Sequence, residues 1–144
     1  MNRIEVRKSG AYRAWALLLV VIGLSSCTIR LISDYDDAID QGITQFERKM
    51  DLHLTKAQRG GLAYDPSFFD DIGTDLQVLQ TRAAAITNGA VTAAIITLLQ
   101  AQLTTIETTE RTGKGTSSFY SIAQTTIDNN CQQALKLELA KKRN

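Results

Sequence analysis

Proline, cysteine, histidine and tryptophan are scarce in this 144-residue chain, which has one Pro, two Cys, one His and one Trp. A single Pro and 6% aromatic residues argue against a sandwich of many strands and turns. The 16 basic and 15 acidic side chains nearly balance, which excludes a dominant electrostatic footprint for nucleic acid. With 44% hydrophobic and 22% charged residues, the chain is neither collagen-like, disordered nor a polytopic membrane protein. Its length suits one small domain.

The scarcity of histidine also limits the chemistry. His53 has no Glu-x-x-His partner, so a ferritin-like metal site is not supported, and no flanking motif builds a nucleophile triad around it. Cys131 falls in line with Ile127 and Ala134, which predicts a buried thiol. We therefore predict no catalytic residues, no metal, no cofactor and no enzymatic activity.

The first 27 residues differ from the rest of the chain. Four basic side chains against Glu5 give the opening segment a net charge of about +3, and an apolar run from Ala14 to Leu24 follows. Eleven apolar residues are too few to cross a bilayer, which takes about 20 residues of helix. The run has the length of the hydrophobic region of a secretory signal.

This run ends in Leu24-Ser25-Ser26-Cys27. The tetrapeptide resembles the lipobox of bacterial lipoproteins, in which an apolar residue and two small ones precede the cysteine that is acylated. The resemblance covers only the first 27 residues, and an ordinary signal peptide with a coincidental Cys is the alternative. It implies cleavage before Cys27, a diacylglyceryl thioether on Cys27 and an acylated amine, and several acyl chains anchor a protein stably. By resemblance to the sorting rules of enterobacterial lipoproteins, Thr28, which is not Asp, favours the outer membrane over the inner one if the host has two.

Cleavage would change the composition. It would remove four basic and one acidic side chain, and leave 118 residues with a net charge of −2 and no Trp. The sequence thus predicts a signal peptide at 1–26, a lipidated Cys with a short tether at 27–32, and a helical domain at 33–144. Because the tether spans less than about 20 Å, it would hold this domain close to the bilayer.

Apolar residues in the mature chain recur every three or four positions, which predicts helices. The first is predicted from about residue 33 to 59, with Ser33 and Asp36 as a capping box and Gly60-Gly61 as the stop. The second begins at Asp65-Pro66, where Asp caps the helix and Pro takes the first helical position, and it runs to Asn88-Gly89.

Two further helices are predicted with less distinct signals. The segment 91–112 is rich in Thr, which lowers helix propensity, and a strand through Val91–Leu99 is the alternative. Ser117 or Ser118 can cap a last helix that ends in Lys141-Lys142-Arg143. The fold class is therefore all-α, an antiparallel up-down bundle of about four helices. Gly42 and Gly73, inside the first two helices, are either loose surface positions or close helix crossings.

In such a bundle the last helix ends where the first begins. This topology brings the basic end of the chain close to a cluster of acidic residues and to the membrane: Lys141, Lys142 and Arg143 near Asp34, Asp36, Asp37 and Asp40. The two groups are candidates for salt bridges, worth about 0–1 kcal/mol per exposed pair, or for contact between the basic residues and anionic headgroups. The acidic residues are a helix N-terminal cluster rather than a cation site.

These observations lead to an expected function. The chain is expected to be a membrane-anchored envelope lipoprotein that binds another envelope protein or self-associates through an incompletely covered helix face. As a whole-chain pattern it resembles small bacterial lipoproteins whose activity is not characterised, and the resemblance implies no activity. The alternative is a periplasmic carrier that holds a small apolar or cationic ligand between its helices.

Overall fold

The computed structural model describes residues 35–60 and 62–142, and within them four helices follow one another along the chain. They are α1 (Asp37–Gln58), α2 (Pro66–Ala85), α3 (Ala90–Arg111) and α4 (Ser117–Lys142). No strand occurs in this part of the chain. The closest pairs are α1 with α4 and α2 with α3, and α1–α2 and α3–α4 contacts close the bundle. The predicted all-α, up-down bundle is confirmed.

The N-termini of the helices show which of the predicted residues form the capping hydrogen bond. Asp65 caps α2 as predicted, its carboxylate accepting from the amide of Ser67 at 3.0 Å. The prediction that Ser33 caps α1 is wrong: Asp36 has the extended backbone of a cap and accepts from the amide of Ala38 at 2.8 Å. Asp caps a helix as well as Ser does, and Asp36 also bridges to α2 through Arg82.

The start of α4, in contrast, was predicted one or two residues too late. Thr116 accepts from the backbone amide of Phe119 at 3.1 Å, so Thr116 takes the capping place that Ser117 and Ser118 were expected to fill. The preceding turn contains Gly113, whose φ of 64° is the left-handed conformation that follows a helix end. Gly60 has a φ of 77° and ends α1 in the same way, which confirms the predicted stop there.

The Thr-rich segment is helical from Ala90 to Arg111, so the strand alternative is wrong. Thr hydroxyls along α3 donate to the carbonyl four residues earlier, as Thr97 does to Ala93 at 3.0 Å and Thr109 does to Thr105 at 2.8 Å. These bonds satisfy the hydroxyls within the helix. The buried side of α3 keeps the helical period in Thr92, Ile96, Leu99, Leu103 and Ile106, and the energy of packing this face outweighs β-branched propensity.

The core runs the length of the bundle, from Ile39 and Ala134 at one end to Leu54 and Ile106 at the other. Gly42 lies at a close crossing, because a Cβ there would be 2.5 Å from Cδ2 of Leu79 on α2. At Gly73 the nearest atom to such a Cβ would be 3.9 Å away, an ordinary contact. Gly42 is therefore a close helix crossing, and Gly73 is a loosely packed position.

Candidate functional site

The first candidate region is the bundle end at which α1 begins and α4 ends. Asp36 binds Nε of Arg82 at 2.6 Å. Partial burial raises the pKa of Asp36, but the hydrogen bonds from Arg82 and from the backbone lower it overall. Asp40 accepts from the Tyr35 hydroxyl at 2.8 Å, and Lys142 Nζ lies 4.8 Å from the Tyr35 ring centroid. The start of α1 and the ends of α2 and α4 thus meet, as the topology predicted.

The predicted acidic cluster separates into different roles at this end. Asp37 is exposed in the first turn of α1, where it complements the helix dipole. Asp37 and Asp40 together raise the pKa of the Tyr35 hydroxyl. Asp34 and Arg143 lie outside the described residues, as do the lipobox residues Leu24, Ser25, Ser26 and Cys27.

Lys141 was expected beside the acidic cluster or at lipid headgroups, but its side chain lies in the interior of the bundle. Its side chain is 3% exposed, and its ammonium pairs with the carboxylate of Glu138 and donates to the Thr92 hydroxyl at 2.9 Å. Thr92 in turn donates to Oε1 of Glu138 at 2.8 Å. The reason is periodicity, since Ile127, Cys131, Ala134, Glu138 and Lys141 recur at four and three residues and share the core face of α4. This buried network joins the start of α3 to the end of α4.

A second acidic group, not foreseen from the sequence, lies between α1 and α4. Burial, followed by the charges of Asp51 and Glu47, raises the pKa of Asp128 to about 6. Asp51 accepts from the Gln124 amide at 3.0 Å, whereas Oδ1 of Asp128 is buried without a hydrogen-bond partner. Only tertiary packing brings residues 47, 51 and 128 together. Among the described residues, no set of three His, Cys, Asp or Glu side chains has the arrangement of a metal site.

His53 lies in an aromatic cluster at the opposite end of the bundle. Its ring stacks on Phe68 at 3.9 Å between centroids and meets the edge of Phe69 at 5.4 Å. Nε2 of His53 is 2.8 Å from Glu110, whose side chain is 5% exposed. Next to Glu110, a polar cavity of about 210 Å³ is lined by Tyr64 and Tyr120, among others. With its neighbours packed around it, this imidazole connects α1 to α3.

An open apolar groove separates α3 from α4 in the half of the bundle farthest from residue 37. It has a volume of about 320 Å³, and its walls include Leu98 and Ile106 of α3 with Phe119 and Ile122 of α4. Leu98 and Ile122 are 54% and 68% exposed, which is unusual for large apolar side chains facing one another. Oε1 of Gln102, in the groove wall, is buried and has no hydrogen-bond partner.

The outer face of α3 extends this apolar surface. No Asp, Glu, Lys or Arg occurs between Arg82 and Glu107, and α3 is the one helix of the described residues long and apolar enough to cross a membrane. Only 28% of the most apolar 18-residue stretch of α3 is buried, so packing in the core explains little of the apolar composition of this helix. A solvated helix face normally carries charge. The uncharged stretch is visible in the sequence, but its outward position required the fold.

Comparison with protein-family models, curated proteins and solved structures found no match to this chain. The class of protein that the structure defines is therefore the four-helix bundle alone. Its function has to be argued from its own surfaces.

Proposed function

We propose that this chain is a lipid-anchored bacterial envelope lipoprotein whose helical bundle binds another protein and carries out no catalysis. The observation that supports binding is the apolar groove between α3 and α4, continuous with the uncharged face of α3. Exposed apolar surface of this kind costs free energy in water and is characteristic of interaction sites. The lipobox-like Leu24-Ser25-Ser26-Cys27 supports the anchor, and Thr28, which is not Asp, supports the outer membrane if the host has two membranes.

The bundle end near residue 35 faces the membrane in this proposal, because the tether that leads to it is short. Lys142 is exposed at this end and Arg143 follows it in the sequence, so this pair is proposed to contact anionic headgroups. The side chain of Lys141 is buried, so it does not reach the headgroups. A Lys142→Gln/Arg143→Gln variant should adsorb less to anionic liposomes at low salt, and unchanged salt-sensitive adsorption would remove headgroup contact from the proposal.

The anchor is tested by labelling cells with palmitate. The wild-type chain should incorporate label and remain with the membrane fraction, whereas Cys27→Ala should do neither. Equal labelling of the two chains would overturn the lipid anchor. It would leave the interaction surface to be tested separately.

The interaction surface is tested by crosslinking the lipidated protein in its native membrane, followed by mass spectrometry. We expect crosslinked species that Ile122→Asp weakens, because it places a charge in the groove. Leu52→Asp is the matched control, since Leu52 is 59% exposed on α1. Recovery of monomer alone with several crosslinker lengths, or equal loss in both variants, would count against a binding function of the groove.

A second candidate function is supported by the polar cavity beside Glu110. A buried carboxylate next to the rings of Tyr64 and Tyr120 suits a small organic cation, which would make the bundle a periplasmic carrier. Tetramethylammonium at millimolar concentration should then raise the melting temperature saturably, and Glu110→Gln should abolish the rise. No shift in the wild-type chain would exclude this cavity as a cation site.

A further inference from the structure

The outer face of α3 has the spacing of a helix-pairing seam. Its exposed residues recur at three and four positions, and we call this set the α3 seam: Val91, Ala94, Leu98, Ala101, Thr105 and Thr108. Alternation of three and four residues is the heptad pattern by which two helices pack along their length. The core side of the same helix uses a separate set of positions, so the seam is not a by-product of core packing.

We propose that the α3 seam binds the same seam of a second copy of this chain, with the two α3 helices parallel. This dimer is one form of the protein binding proposed above, and its parallel orientation rests on the lipid anchor. Two copies anchored in one membrane at the same bundle end are related by a two-fold axis along the bundle, which makes equivalent helices parallel.

The charge pattern favours a second copy as the occupant. The seam offers no ion pair to a charged partner, and a partner charge buried against it would be left unpaired. A second α3 is likewise uncharged from Ala90 to Ile106, which covers the seam from Val91 to Thr105. The α3 seam is therefore complementary to itself, as an isologous interface requires.

The available area fits a weak dimer. The 22 residues of α3 extend about 33 Å. Adding the exposed side of α4 around Ile122 gives a surface about two helix diameters wide, or about 650 Å² per copy. Stable interfaces bury about 800 Å² per partner. The dimer should thus dissociate readily in dilute solution and form when anchors concentrate the chains on one membrane.

Cysteine crosslinking tests both the contact and its direction. Ala94 lies near the start of α3, so two introduced thiols meet in a parallel pair but stand about 20 Å apart in an antiparallel pair of full overlap. The chain suits this test, because Cys27 is acylated in the proposal and burial raises the pKa of the Cys131 thiol, which keeps that thiol unreactive. Ala84→Cys, an exposed alanine on α2, is the matched control.

The full lipidated chain is reconstituted in phosphatidylethanolamine–phosphatidylglycerol vesicles and oxidised with copper phenanthroline. We expect a disulfide-linked dimer with Ala94→Cys and not with Ala84→Cys. Adding Leu98→Glu should weaken dimer formation at least about tenfold, because like charges meet in the seam. Adding Val78→Glu, at an apolar residue 61% exposed on α2, should leave it unchanged.

Other outcomes overturn the parallel dimer. These are equal crosslinking of both cysteine variants, no crosslinking, or a disulfide that forms only when Ala94→Cys is mixed with Thr108→Cys, which an antiparallel pair would give. Palmitate labelling of the same preparations reports the anchor independently. If the vesicles give no dimer while the native-membrane crosslinking described above joins the chain to a different protein, the dimer is refuted and the proposed binding function is retained.

Discussion

Loss of Lys141 should be among the most destabilising single changes in this bundle. The side chain of Glu138 is 0% exposed, its Oε1 is bound by Lys141 and Thr92, and its Oε2 has no hydrogen-bond partner. In Lys141→Met the carboxylate would keep one neutral donor and no counter-charge. A buried charge left in this way costs about 3–5 kcal/mol.

The loss is a large fraction of the stability of a small domain. Total stabilities of such domains are about 5–15 kcal/mol, so this loss is readily measured.

The free energy of unfolding is measured by urea denaturation of a lipid-free chain that starts at Thr28. Unfolding is monitored by circular dichroism, because the only Trp, Trp15, is absent from this chain. Glu138→Leu should cost less, since Lys141 is in the last turn of α4 and its ammonium can extend into water. The double variant should be close to wild type. A Lys141→Met loss below about 1 kcal/mol would refute the buried-charge argument.

Three further stability predictions use the same unfolding assay. Gly73→Ala should stabilise the protein by about 0.5–1 kcal/mol, since helix propensity improves without a clash. Gly89→Ala should destabilise it by about 1–3 kcal/mol, because a Cβ there would lie 1.9 Å from a backbone oxygen. Equal effects of the two substitutions would contradict this packing. Asp128 has a pKa raised to about 6, so the wild-type chain should lose stability as pH rises from about 4 to above 6. Asp128→Asn should remove that slope and gain about 1–3 kcal/mol at pH 7.5, and a slope that persists would refute the assignment. Asp36→Ala should cost about 1–2 kcal/mol through the lost cap and ion pair. Because the pKa of Asp36 is lowered, the ion-pair part of this difference should be lost as the pH falls below the usual range of an aspartate, and a difference that does not change with pH would point to another cause.

Local signals were sufficient to predict the helices and their order. The apolar periodicity, the Asp65-Pro66 start and the Gly60 stop each depend on neighbours in the chain, and all three were confirmed. Boundaries failed where two residues compete for the same role, as with Ser33 and Asp36, because Arg82 of another helix stabilises one of them. The Thr-rich α3 was ambiguous from propensity, since burial of its core face decides its conformation.

The sequence and the tertiary structure supply different kinds of information about this protein. The sequence by itself determined the helix number, the apolar faces of α1 and α2 and the lipobox-like motif at Cys27, because all of these are read from residue type and spacing. The tertiary structure alone decided which residues far apart in the chain meet: Asp128 with Asp51, His53 with Glu110, and Lys141 with Glu138 and Thr92. It also decided which side of α3 faces outward, because only packing against α2 and α4 distinguishes the apolar residues of the core from those left in water.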